Sequence, residues 1–140
     1  MRIHFALGIA LLMLTSCDDG ASKRHLLRID KDWNDRTETE KLIGCWCQDS
    51  GSHTSRRDLK MDFKNKYCYY SDGTMDEFLV SESGGFKRTS LLRSGKNVTV
   101  SNNILTYYDS ESGAKKEYPV TVERNSLQLG RGRREFIRCY

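Results

Sequence analysis

The chain has 140 residues, 30% of them charged, and a formal net charge of +4. That length holds one domain with one modest core. So mild a positive balance on a mixed-sign chain argues against the basic footprint of a nucleic-acid binder.

The first residues form a targeting segment. Arg2 supplies a positive start and Phe5 to Leu14 is an uninterrupted apolar run. The run is shorter than the roughly 20 residues a membrane-spanning helix needs. An apolar run of about 7–15 residues behind a positive start reads as a secretory signal. Leu14-Thr15-Ser16-Cys17 ends it. Two small residues leading into a cysteine resemble the lipobox of bacterial lipoproteins. The resemblance covers only this processing signal. It implies that the Cys17 thiol receives a diacylglyceryl group, that the chain is cut before Cys17, and that the new amine is acylated. One acyl chain holds a protein to a bilayer only marginally, whereas several hold it stably. Asp18 and Asp19 follow. In enteric-type bacteria an Asp directly after the lipidated cysteine is a sorting signal for retention in the inner membrane; the outer membrane is the other destination.

Residues 17–41 read as a lipidated cysteine followed by a polar, flexible tether. Thr37 and Glu40 have the spacing of a capping box, which predicts a short helical turn at its end. The domain is expected from 42 to 140, so the three expected segments are 1–16, 17–41 and 42–140. From Leu42 onward the apolar residues alternate. Leu59, Met61 and Phe63 do so, followed by a turn at Lys64-Asn65-Lys66. Tyr67 to Tyr70 favours strand and Ser71-Asp72-Gly73 ends it. Phe78 and Val80, Val98 and Val100, Leu105 and Tyr107, Tyr118 to Val122, and Leu127 and Leu129 repeat the pattern. Turns are expected at 81–85, 94–96, 102–103, 110–113, 125 and 130–134. Eight or nine short strands with turn signals predict an all-β sandwich or barrel. Pro119 lacks a ladder donor and is expected at a strand start or a bulge.

Gly44-x-Trp46 in the first strand and Phe136-Ile137-Arg138 in the last resemble the lipocalin-like pattern. The resemblance spans about residues 42–140, with a chain short for a full ligand-holding member. It implies an antiparallel up-and-down barrel of about eight strands. In that family the indole of the first-strand Trp packs at the closed end, and an Arg from the final strand covers it as a cation–π pair.

Apart from Cys17, four cysteines remain: Cys45, Cys47, Cys68 and Cys139. An even number in an exported chain points to two disulfides, with three possible connectivities. Cys45-x-Cys47 lacks the spacing of a zinc half-site. On the lipocalin-like barrel, Trp46 and Arg138 face inward and all three neighbouring cysteines face outward. Residue 139 then lies opposite 45. The resemblance therefore implies Cys45–Cys139 across the seam and Cys47–Cys68 as the remainder.

Catalytic chemistry is not expected. The chain has no Gly-x-Ser-x-Gly elbow, and His53 stands alone in a Gly/Ser-rich stretch. Asp72 with Asp76, and Asp109 with Glu111, lie where Asp ordinarily bonds turn backbone. Neither a metal nor a cofactor is expected. Arg131, Arg133 and Arg134 make a basic turn that suits solvent, lipid headgroups or an acidic partner. The expected function is a membrane-anchored, periplasm-facing envelope lipoprotein whose barrel binds a small apolar ligand or an envelope component. The alternative is a protein-binding inhibitor or immunity lipoprotein directed at a toxin or a lysozyme. A hollow apolar barrel favours the first; a filled barrel with a protruding loop favours the second.

Overall fold

The computed structural model describes residues 23–48 and 62–139. Eight strands follow one another around a closed barrel. They are β1 (Gly44–Gln48), β2 (Asp62–Tyr69), β3 (Met75–Ser83), β4 (Phe86–Ser101), β5 (Ile104–Asp109), β6 (Lys115–Val122), β7 (Ser126–Leu129) and β8 (Arg134–Arg138). Each strand is antiparallel to the next, and β8 returns to pair with β1. Closure pairs β8 with β1, while the outer part of β4, before its ladder with β5 begins at Gly95, pairs with β3 alone.

The alternation of apolar residues sets which side chains fill the barrel. Trp46 lies opposite Tyr67 and Arg138, Tyr69 opposite Met75, Leu105 opposite Tyr118, and Leu127 opposite Phe136. These residues share the inward face, and Trp46, Tyr69, Met75, Leu105, Leu127 and Phe136 are fully buried. Gly95 joins them because nothing larger fits. A Cβ there would stand 2.6 Å from the Tyr107 ring and 3.1 Å from Met75.

Two expected turns are strand instead. Lys64-Asn65-Lys66 runs through the middle of β2, and Ser94-Gly95-Lys96 through β4. Asn65 faces the barrel interior, where its amide donates to Glu77, so a turn-forming residue finds its partner in the ladder. In β4 the chain bends rather than reverses. A register shift between Lys96 and Thr99 absorbs Asn97, which sits at φ 55°. Genuine reversals occur at Gly84-Gly85 and Asn102-Asn103, whose positive φ values suit tight hairpins. Leu59 and Met61 lie outside the described residues.

Pro119 sits within β6, neither at its start nor at a bulge. Its carbonyl accepts from Gly130 on the β7 side. The β6–β7 ladder reaches only to Val120 opposite Leu129. The missing N–H therefore faces a position where the ladder has ended.

The disulfides correct the expected pairing. Cys45 joins Cys68 and Cys47 joins Cys139. The register does place residue 139 beside 45, since the Cys139 N–H donates to the Cys45 carbonyl. But β2 is the immediate neighbour of β1, and it sets Cys68 directly opposite Cys45 with Cα atoms 4.1 Å apart. Cys68 was expected on a third strand because the false turn at 64–66 split β2. Cys139 reaches diagonally to Cys47 across the seam, over 5.8 Å between Cα atoms.

Of the segment expected as a tether, residues 23–41 lie along the barrel. A 3-10 turn (Arg24–Leu27) lays Leu26 and Leu27 on an outer apolar cluster of Cys45, Cys68, Tyr70 and Phe78. The Leu26 carbonyl accepts from Ser71, and Lys23 pairs with the buried Asp76 at 3.2 Å. A second 3-10 turn (Trp33–Asp35) leads to helix α1 (Glu38–Leu42). Thr37 caps α1 with the reciprocal Glu40 bond of a full capping box. Leu42 then plugs the barrel end, and the Thr39 hydroxyl accepts the Val100 N–H at 2.9 Å. Residues 17–22, with Cys17, Asp18 and Asp19, lie outside the described residues.

Candidate functional site: the two ends of the barrel

One end of the barrel is sealed. Gly44 enters β1 at φ 135°, a conformation open mainly to glycine, and turns the chain from α1 into the barrel. Trp46 is wholly buried and its indole N–H donates to the Leu42 carbonyl at 2.8 Å. The Arg138 guanidinium lies 4.2 Å from the Trp46 ring centroid. It donates to the carbonyls of Arg124, Ile43 and Lys41 at 2.8, 2.8 and 3.1 Å. Burial, and then the neighbouring Arg36, hold its pKa below the ordinary arginine value. Trp33, on the second 3-10 turn, completes this seal. Its ring lies 5.8 Å from the outer side of the same guanidinium, so Arg138 contacts two indoles.

The interior beyond Trp46 is a core and not an apolar chamber. Thirteen buried side chains form one packed cluster, four of them aromatic on β1, β2 and β8. Tyr67 packs edge-on against Phe136 at 5.3 Å, and Tyr107 stacks with Tyr118 at 6.1 Å. Toward the open end the filling becomes polar. Buried Glu77 accepts from the Tyr67 hydroxyl (3.1 Å) and the Asn65 amide (3.2 Å), and pairs with Arg93 Nε at 2.7 Å. The signal for Glu77 in the sequence is a charge at an inward position of β3, opposite Tyr67. The Tyr69 hydroxyl is buried without a partner among the described residues.

Burial pushes Tyr67 and Tyr107 above the usual tyrosine pKa, and Tyr69 well above it. Burial also raises Tyr70 on the outer face, with the Asp76 carboxylate adding to the shift. A tyrosine kept neutral in the fold but ionising near pH 10 when unfolded adds stability below that pH. That stability is lost as pH rises from the unfolded value toward the folded one. The expected result is that these four tyrosines resist titration near pH 10 and ionise together with alkaline unfolding, read from phenolate absorbance alongside circular dichroism. Independent titration near pH 10 in the folded protein would contradict the packing described.

The open end carries the exposed features. The β3–β4 hairpin projects there, with Phe86, beside its Gly-Gly turn, 83% exposed and Leu91 58% exposed. Lys87 and Arg88 are exposed beside Phe86. The β7–β8 turn adds Arg131, Arg133 and Arg134, all exposed, with Arg133 at φ 47°. The connection between β1 and β2, with His53, lies outside the described residues.

The carboxylate pairs do not converge. Asp72 accepts from Thr74 within its turn, whereas Asp76 is buried against Tyr70, Ser94 and Lys23. Asp109 accepts from the Glu111 and Ser112 amides, as a turn residue does. Among the described residues, two clefts lie at the sealed end. One, of about 320 Å³, runs between α1 and the β2–β3 turn; the other, of about 340 Å³, is lined by Trp33, Arg36 and Arg138 among others. Comparisons of the chain with protein-family models, with curated proteins and with solved structures find no match in any of the three.

Proposed function

We propose that the protein is a lipid-anchored lipoprotein of the bacterial envelope whose barrel is a non-enzymatic, protein-binding module. The filled interior carries this reading. A barrel packed with Trp46, Tyr69, Phe136 and Leu127, and polar at Glu77 and Arg93, has little room for an apolar ligand. That weakens the small-ligand reading and favours the inhibitor or immunity class. The working face is then the open end, where Phe86 and Leu91 of the β3–β4 hairpin stand exposed beside Lys87 and Arg88, and the β7–β8 turn adds Arg131 and Arg133. An exposed aromatic and aliphatic pair on a basic end suits a partner surface with apolar and acidic groups. Cys17 supplies the anchor. Asp18 and Asp19 favour the inner membrane, with the domain facing the periplasm.

A photo-crosslinking amino acid at position 86, in cells carrying Cys17 or Cys17→Ala, tests both halves. With Cys17, the expected result is membrane-fraction protein and one discrete protein adduct at position 86 that is missing from the same probe at Thr121. With Cys17→Ala the chain should leave the membrane fraction. Persistent membrane binding defeats the anchor; only diffuse or lipid adducts at position 86 defeat the protein-binding face.

A further inference from the structure

The cleft beside Trp33 has more positive charge than its fold requires. Lys31, Arg36, Arg124 and Arg138 line it, with Asp32 and Asn125. Arg36, Lys41 and Arg138 each stand within 6 Å of the Trp33 ring, at 5.9, 5.8 and 5.8 Å. Three cations around one indole repel one another, and the nearby acids offset them only in part: Glu38 lies by Lys41, Glu40 is drawn on by Arg36, and Arg138 has none among the described residues. Lys31 pairs with Glu40 at 2.7 Å and Lys41 loosely with Glu38 at 3.9 Å. Arg36 and Arg138 form no salt bridge among the described residues. Their hydrogen bonds run to main-chain carbonyls: Arg36 to Lys31 and Ile29, Arg138 to Arg124, Ile43 and Lys41. A guanidinium has five N–H donors, so both keep donors in reserve beside an amphipathic ring.

The position of the cleft supplies the occupant. The segment that leads back toward Cys17 reaches the barrel at Lys23, which is bonded to Asp76 beside the β2–β3 turn at the sealed end. Lys23 is six chain steps from Cys17. Fully extended they reach about 20 Å, at roughly 3.3–3.6 Å per residue. A chain anchored through Cys17 therefore keeps its sealed end close to the bilayer. The exposed hairpin with Phe86 lies at the opposite end.

We propose that this cleft is a binding site for the phosphate of an anionic phospholipid headgroup, so that the barrel stands on the membrane sealed end down with its open end outward. The inference rests on the anchor reading of Cys17. Trp33 would lie at headgroup depth, where amphipathic rings are favoured. Arg36 and Arg138 would offer their spare donors to the phosphate oxygens in the fork geometry that suits phosphate. Lys31 and Arg124 would add charge attraction.

The test uses the mature lipidated protein in vesicles of phosphatidylcholine carrying a headgroup spin label, with or without phosphatidylglycerol. Trp46 is wholly buried, so quenching reports Trp33, and Trp33→Phe should abolish it. The expected result is strong quenching only with phosphatidylglycerol, reversed by high salt. Arg36→Gln and Arg124→Gln should each shift the headgroup-bound population about fivefold, from the roughly 1 kcal/mol of each basic residue near an anionic surface. Arg138 is left intact because it also seals the barrel. Equal quenching in neutral and anionic vesicles, or none in either, overturns the proposal. So does a Trp33 response to inorganic phosphate that anionic vesicles fail to produce, since the cleft would then serve a soluble anion. Protein that does not float with any vesicle shows instead that the anchor reading has failed.

Discussion

Replacing Cys47 and Cys139 together by alanine should lower the unfolding free energy by about 4–5 kcal/mol. The bond joins β1 to the end of β8 and closes a loop of sequence separation 92. In the chain-entropy model a loop of that size is worth nearly the maximum a single disulfide supplies. It also crosses the seam at which the last strand meets the first, so its loss frees both ends of the closed sheet. Replacing Cys45 and Cys68, separated by 23 residues, removes about 3 kcal/mol of loop-closure stabilisation. Denaturant unfolding under non-reducing conditions measures both. A loss below about 1 kcal/mol for the Cys47/Cys139 variant would show that the unfolded chain is not constrained as this pairing requires.

The second large effect is expected at Arg138. Arg138→Ala removes three hydrogen bonds to carbonyls, one of them on the buried residue Ile43, and uncovers Trp46. Unsatisfied buried acceptors cost about 1–3 kcal/mol each and the lost cation–π contact about 1–2 kcal/mol. Some acceptors will gain water, so a total near 3 kcal/mol is expected. Arg138→Lys should recover little of it. A single ammonium cannot reach the three carbonyls that the guanidinium fork spans and also stand over the Trp46 ring. The readouts are the unfolding midpoint and Trp46 emission, which should shift to the red as the barrel end opens. A lysine variant with the stability of the native chain would contradict this account of the seal.

The strand pattern was legible where apolar residues repeat at a period of two, at Val98 and Val100 in β4, Leu105 and Tyr107 in β5, Tyr118 to Val122 in β6, and Leu127 and Leu129 in β7. The register of Arg138 beside Trp46 followed from the resemblance to the lipocalin-like pattern. The disulfide pairing could not, because it depends on which strand is the immediate neighbour of β1. A composition of Lys, Asn and Lys at 64–66 looks like a turn until Asn65 is seen to face Glu77. Ser94-Gly95-Lys96 misleads in the same way; Gly95 is there because Tyr107 and Met75 leave no room for a Cβ. The role of residues 23–41 was hidden for a different reason. Polar, sparsely apolar segments look like tethers, and only tertiary contacts at Leu26, Leu27 and Trp33 show that this one lines the barrel. The cationic cleft draws on Lys31, Arg36, Arg124 and Arg138, which are far apart in sequence and share no motif.

The protein-binding reading and the headgroup cleft assign the two ends of one barrel to different surfaces. The sealed end, with Trp33 and Arg36, would meet the bilayer; the open end, with Phe86 and Arg131, would meet a protein. Both depend on an interior that is filled by the protein itself. Native mass spectrometry of the mature protein extracted from membranes tests that most directly. The expected mass is that of the polypeptide and its Cys17 acyl groups, with any lipid adduct weakened by Arg36→Gln because it sits in the outer cleft and left unchanged by Leu127→Phe in the core. A stoichiometric apolar adduct that Arg36→Gln leaves unchanged and that enlarging a core side chain displaces, as in Leu127→Phe, would contradict this and return the barrel to ligand carriage.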